Sequence, residues 1–190
     1  MNPRTAFIAA PLLVLAYGVI RIVDGFDGVR GPGPAWTIGH LAFLAALVLF
    51  VGIFHQMREM IGPSAPARVT AAVATLGALA LFGQFAVDVV AGLLADDHAE
   101  LVAISREVRS WPGVRPVIYD FGPYLFYVGQ LALVVQLAAH RVVKAWMPVL
   151  VLADLVMPLI DKDLIPVGAV LLLVSFAPLA RRAARRPVLV

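Results

Sequence analysis

Residues 69–95 read VTAAVATLGALALFGQFAVDVVAGLLA, and Asp88 is the only charged side chain in this stretch. A helix that crosses the hydrocarbon core of a bilayer needs about 20 consecutive apolar residues, so the stretch is long enough to span a membrane. Small residues that favour close packing against a second helix recur on one of its faces, at Thr70, Ala74, Gly77 and Ala80. The stretch therefore predicts a membrane-spanning helix that carries one ionisable group inside the bilayer.

The rest of the chain repeats this pattern. Of its 190 residues, 62% are apolar and 14% are charged, and the mean hydropathy is +0.93. Soluble domains are about 45–50% apolar and about 25% charged. Six segments are long enough to span, at residues 5–23, 36–57, 69–95, 117–139, 142–160 and 164–180. We predict an all-α, polytopic integral membrane helix bundle with six transmembrane helices, which forms a single transmembrane domain over residues 1–190.

The fifth and sixth segments are separated only by residues 161–163, so they should form a tight helical hairpin. The distribution of basic residues predicts the orientation, because Lys and Arg near helix ends are retained in the cytoplasm. The cytoplasmic set is Arg4, Arg58, Arg68, Arg141, Lys144, Arg181, Arg182, Arg185 and Arg186. We expect a protein of the bacterial plasma membrane with both termini in the cytoplasm. These basic residues form no stripe interleaved with aromatic side chains, so no nucleic-acid partner is expected.

Residues 96–116, between the third and fourth segments, carry a second helical pattern. Apolar side chains spaced three, four and three residues apart share one face, at Leu101, Ile104, Val108 and Trp111. Asp97 followed by Glu100 fits an N-terminal capping pattern, and Pro112 with Gly113 ends the segment. We predict an amphipathic helix on the outer side of the membrane, which either lies in the interface or covers a cavity.

Polar side chains within the six segments are concentrated at one depth. With the orientation above, the outer half of the bilayer contains Arg21, His40, Gln84, Asp88, Asp120, Tyr124, Tyr127 and Asp154, whereas the inner half is almost purely apolar. An ionisable side chain at the membrane centre costs about 2.5 to 3.5 kcal/mol on insertion scales. A polar cavity that opens outward explains their common depth. The alternative is a set of buried ion pairs that only fixes helix register, with Arg21 next to Asp24 or Asp88 and His40 next to another carboxylate.

The residue types limit the chemistry of such a cavity. The chain has no cysteine, no phosphate-binding glycine loop and no metalloprotease motif. Burial in an apolar wall disfavours a charged carboxylate, so Asp88 or Asp154 can hold a proton near neutral pH. We predict Asp88, Asp154 and His40 as acid–base residues, and as substrate-binding residues Arg21, Gln84, Asp120, Tyr124 and Tyr127.

These residues predict a membrane enzyme that isomerises a lipid-soluble substrate, or cyclises it after protonation. No metal and no cofactor is predicted, and a haem between His55 and His140 is a weaker alternative. Two further functions remain open from the sequence. One is a small proton-coupled transporter, for which a homodimer is expected because six helices alone leave little room for alternating access, and the other is a non-catalytic subunit of a membrane complex.

Overall fold

The computed structural model describes residues 3–183, and all regular structure in this range is helical. The arginines at 185 and 186, which contribute to the predicted orientation, lie outside the described residues. The helices are α1 (Pro3–Asp24), α2 (Pro34–Ile61), α3 (Ala65–Leu94), α4 (His98–Ser110), α5 (Gly122–Ala139), α6 (Trp146–Ile160) and α7 (Ile165–Ala183). A π-helix, Arg115–Phe121, runs directly into α5, and a 3₁₀ turn, Lys162–Leu164, joins α6 to α7.

Five of these helical stretches are long and apolar enough to cross a membrane, namely α1, α2, α3, the π-helix with α5, and the 3₁₀ turn with α7. The chain is therefore a multi-helix membrane protein. α6 is also apolar but has only 15 residues. At 1.5 Å per residue it extends about 22 Å, which is less than the hydrocarbon thickness of about 30 Å.

The six apolar helices form a closed ring. Contacts run from α1 to α2, α3, α5, α6 and α7 in turn, and α7 packs back against α1. The predicted hairpin of α6 and α7 is confirmed by their contact, and in its turn the Asp161 carboxylate accepts a hydrogen bond from the Asp163 amide. α4 lies at the end of the ring where α1 and α3 end and α2 begins, and this end is called the α4 end below.

The predicted small-residue face of α3 is the seam with α5. At Gly77 an added Cβ atom would overlap the backbone of Phe126, and at Gly129 it would overlap the backbone of Ala74. Thr70 lies on the same face, and its hydroxyl accepts a hydrogen bond of 2.8 Å from the side chain of Gln136. Small residues thus allow the two helix backbones to approach closely, as the sequence pattern predicts.

The interior of the ring is apolar toward the end opposite α4. Large side chains buried there come from four helices and include Phe54 and Ile53 of α2, Leu137 of α5, Met147 of α6 and Leu179 of α7. This packed region, called the apolar floor below, closes the interior on that side.

The amphipathic helix predicted after α3 is present as α4. The Asp97 carboxylate caps it by accepting a hydrogen bond from the Glu100 amide, and the Glu100 carboxylate accepts one from the Asp96 amide. Leu101 is buried against Ala91 of α3, with Trp36 of α2 beside it. α4 therefore packs on the ring through its apolar face and leaves its charged face exposed.

Arg30 joins three parts of the α4 end. Its Nη2 atom lies 2.8 Å from both carboxylate oxygens of Asp163, and its Nε atom donates to the backbone oxygen of Arg21. Its own backbone oxygen lies 2.8 Å from Nδ1 of His98, at the start of α4. The loop between α1 and α2 is thereby held to the α6–α7 turn and to α4.

Replacement of Gly77 by Ala should weaken the seam between α3 and α5. The added methyl group must displace the Phe126 backbone, and overpacking of this kind costs about 1–3 kcal/mol. We expect a lower melting temperature of the detergent-solubilised protein. Gly83→Ala on the same helix is the control, because an added Cβ there meets only Ile118 at an ordinary 3.5 Å. Equal melting temperatures for the two variants would contradict the close backbone contact.

Replacement of Asp163 by Asn should loosen the α4 end, because it removes the charge that Arg30 and Arg21 share. Arg30 and Asp163 are each about a third or more exposed, so the loss is at most about 1 kcal/mol of unfolding free energy. The deficit should shrink at high salt, which screens exposed charges. Glu107→Gln, an exposed carboxyl on α4, is the control. A low-salt melting temperature equal to that of the unaltered protein would refute the role given to Asp163.

Candidate functional site

A cavity of about 960 Å³ lies within the ring at the α4 end. All eight side chains predicted to form a site line this one cavity, at Arg21, His40, Gln84, Asp88, Asp120, Tyr124, Tyr127 and Asp154. They come from α1, α2, α3, α5, α6 and the π-helix. The structure therefore brings together every residue of the predicted site, although it does not by itself assign them a role.

His40 of α2 and Asp88 of α3 are two ionisable residues of the cavity that lie close together. Nδ1 of His40 lies 2.7 Å from the backbone oxygen of Trp36, one turn earlier on α2. A carbonyl oxygen only accepts hydrogen bonds, so Nδ1 carries the hydrogen, and Nε2 of the neutral ring has a free lone pair. Nε2 faces Oδ2 of Asp88 at 4.0 Å. That distance is too long for a hydrogen bond, so neither atom is occupied by the other, and both are available to a group in the cavity that the two residues line.

Aromatic rings hold His40 in this orientation. The Trp36 ring lies over it with a centroid distance of 4.1 Å, and the rings of Tyr17 and Phe85 follow at 5.6 and 5.3 Å. Trp36 is itself fixed, because its indole N–H donates to the backbone oxygen of Asp88 at 2.9 Å. Gly92 of α3 leaves space for the indole, since an added Cβ atom would overlap it. One tryptophan thus sets the positions of both His40 and Asp88.

Asp154 occupies a different wall of the cavity. Its Oδ1 atom packs over Gly168 of α7, where an added Cβ would stand only 2.7 Å away. Within residues 3–183 its carboxyl group makes no hydrogen bond and no ion pair. Asp154 is therefore a second carboxyl group that faces the cavity without a neutralising neighbour.

Arg21 differs from the sequence interpretation in its partner. Its Nε atom lies 3.6 Å from Oδ1 of Asp163, in the turn between α6 and α7. Pairing with Asp24 or Asp88, which the sequence left open, is not observed. Arg21 therefore lines the cavity without directly neutralising Asp88, whose nearest ionisable neighbour is His40.

The remaining predicted residues lie at the sides and rim. Gln84 is one helical turn from Asp88 on α3 and lines the cavity beside it. Asp120 and Tyr124 also line it but are exposed, and Asp120 lies 3.7 Å from Arg115 in an ion pair.

Among the remaining histidines, His55 is exposed and its Nε2 atom lies 3.0 Å from Oε1 of Glu59. His55 does not line the cavity.

Several cavity residues were not predicted as site residues. Gln130 is buried in α5, and neither its amide oxygen nor its amide nitrogen has a hydrogen-bond partner. Its position three residues after Tyr127, on the same helical face, was a usable signal. Arg106 and Arg109 of α4 also line the cavity. They could not be predicted, because they reach the cavity only through the packing of α4 over the ring, and a pattern within one helix does not show that packing.

Similarity to known proteins offers no assignment, because the chain matches no family model, no curated protein and no solved structure. The geometry of the cavity is therefore the basis on which a function is proposed.

Proposed function

We propose that this protein is an integral membrane enzyme that uses His40 and Asp88 for acid–base chemistry on a lipid-soluble substrate bound in the cavity. The observation that carries the proposal is the placement of the free lone pair of His40 opposite the Asp88 carboxyl group, inside a cavity of a membrane bundle. Proton transfer by positioned groups of this kind contributes about 10²–10⁴-fold to a reaction rate.

The proposed reaction is an isomerisation in which protons balance. The His40 lone pair takes a proton from a carbon next to a double bond or carbonyl group. The protonated Asp88 carboxyl then donates a proton at the far end of the shifted electron system. Transfer of the first proton from His40 to Asp88, through a water molecule that bridges the 4.0 Å between Nε2 and Oδ2 once the product has left, restores the starting state. No oxidant or reductant is consumed.

Asp154 offers a second proton donor for the alternative start of the reaction, protonation of a double bond that leads to cyclisation. Three aromatic rings surround His40, those of Tyr17, Trp36 and Phe85. Their faces would stabilise positive charge that develops on the substrate. All these groups come from one chain, so the chemistry does not require a homodimer.

The proposed topology has six crossings in a bacterial plasma membrane. α6 joins the end of α5 to the turn before α7, at opposite ends of the ring, so it serves as the sixth crossing despite its length. Lys and Arg at the end opposite α4 are then cytoplasmic, as are both termini. α4 then faces outward, as does the opening of the cavity at the α4 end.

Proton-coupled transport is the less favoured function. A transporter must connect its site to both sides of the membrane, whereas the apolar floor separates the cavity from the end opposite α4. Acid–base chemistry needs no such connection, which is why the enzyme is preferred.

Hydrogen exchange from solvent into lipid tests the proposed function without knowledge of the substrate. The protein is incubated in D₂O with a lipid extract of the membranes from which it was purified, and lipids are analysed by mass spectrometry for deuterium at carbon. We expect at least one lipid to gain deuterium. Asp88→Asn and His40→Gln should each slow this gain by about 10²–10⁴-fold, because one partner of the proton transfer is lost.

Asp27→Asn is the matched control for this experiment. Asp27 lies in the exposed loop between α1 and α2, and an Asn can still accept the hydrogen bond from the Val29 amide. The control should exchange at the rate of the unaltered protein. If no lipid gains deuterium, or if Asp88→Asn exchanges as fast as the control, the proposed function is wrong.

A further inference from the structure

The cavity has a lateral gap between α5 and α6. These two helices contact each other far less than any other neighbouring pair in the ring. Their short connection, residues 140–145, holds them together at the end opposite α4, so they diverge toward the α4 end. Tyr124 of α5 and Leu159 of α6 both line the cavity and are 62% and 68% exposed. The cavity therefore reaches the outer surface of the ring at membrane depth.

Three cations that take part in no ion pair among the described residues line the cavity at the α4 end, where its opening is called the mouth below. Arg106, Arg109 and Lys162 line the cavity, and within the part of the chain that the structure describes none of them lies within 4.0 Å of a carboxylate. The guanidinium of Arg109 lies 4.3 Å from the centre of the Tyr119 ring, which directs it over the cavity. An acidic group at the mouth would be attracted by all three cations.

Gln130 is a buried polar side chain in the wall of the cavity. It is 1% exposed, lines the cavity and has neither a donor nor an acceptor for its amide group. A buried polar group without a partner costs about 1–3 kcal/mol, so a ligand that satisfies it binds more tightly. A hydroxyl group suits both amide atoms because it donates and accepts. Gln130 lies eight residues into α5 beyond Gly122, about 12 Å along the helix axis.

We infer that the cavity binds a single-chain lipid with an anionic head group, which enters between α5 and α6, places its head beneath the arginines of α4, and hydrogen-bonds an oxygen on its chain to Gln130. This inference deepens the proposed function, since it names the substrate class of the same site. The anionic head corresponds to the cations at the mouth, the single chain to the lateral gap, and the oxygen on the chain to the Gln130 amide. Each part is changed by a different substitution.

A competition experiment with matched lipids tests the inference. The protein in nanodiscs is photolabelled with a diazirine fatty acid, and cross-linked peptides are identified by mass spectrometry. Competitors are ricinoleate, oleate and oleyl alcohol, which share one chain and differ only in a hydroxyl group or the head. We expect oleate to displace cavity labelling at least tenfold more strongly than oleyl alcohol. Ricinoleate should be about fivefold stronger again, the typical effect of one hydrogen bond.

Substitutions separate the three contributions. Arg106→Gln with Arg109→Gln should reduce the advantage of oleate over the alcohol to the part that Lys162 contributes, whereas Arg58→Gln with Arg68→Gln, at the opposite end, should leave it unchanged. Gln130→Leu should remove the advantage of ricinoleate and retain that of oleate. Leu159→Trp should slow cavity labelling by filling the lateral gap. Val149→Trp is its control, because Val149 is on the same helix and equally exposed but does not line the cavity.

A further competitor, oleyl phosphate, identifies the head group. If oleate or oleyl phosphate displaces the label more strongly than oleyl alcohol, the inference is supported, and the stronger of the two acids shows whether the site prefers a carboxylate or a phosphate. The inference is overturned if oleyl alcohol displaces the label as strongly as the acids do. It is also overturned if the label is found only on the lipid-facing surface and no competitor displaces it. Binding without deuterium exchange means that the enzyme proposal fails while the site stands. Exchange without binding of these lipids means that the substrate class is wrong.

Discussion

The cost of polar side chains inside a membrane is the constraint on which this structure depends. Each ionisable group in the bundle must face water, a ligand or a partner, because lipid cannot stabilise it. The ring of helices meets this requirement by enclosing the predicted polar residues in one cavity at the α4 end. The opposite end is then free to pack as an apolar floor, in which Phe54, Leu137 and Leu179 fill the interior. The cost of placing polar groups in lipid therefore explains both why the polar residues are concentrated at one end of the bundle and why the cavity lies at that end.

Within the cavity, a few backbone interactions fix the orientation of His40 and Asp88. The carbonyl of Trp36 fixes which nitrogen of His40 carries hydrogen, and the Trp36 indole binds the backbone of Asp88. Gly92 leaves room for that indole, so a residue without any reactive group contributes to the alignment. The acid–base proposal rests on this chain of contacts. The lipid proposal rests on separate features, namely the gap, the mouth cations and Gln130.

Much of the architecture could be predicted because its causes are local in the sequence. Apolar length predicts the helices, the spacing of Thr70, Ala74 and Gly77 predicts a face of α3 that packs closely against another helix, and the Asp97–Glu100 pattern predicts the start of α4. Depth along each helix was enough to group the eight cavity residues. Their partners were not predictable. Arg21 pairs with Asp163, which is far away in the sequence, because helix order around the ring decides such contacts.

The central claim is that the grouped polar residues face a cavity that water reaches, and cysteine accessibility tests it most directly. The chain has no cysteine of its own, so a single one reports without background. Gln84→Cys lines the cavity, whereas Leu79→Cys on the same helix is an exposed apolar position outside it. A membrane-impermeant thiol reagent should modify the cysteine at 84 from the α4 side and leave the one at 79 unmodified. If the cysteine at 84 stays unmodified from both sides of the membrane, the polar residues only hold helices together and the account is wrong.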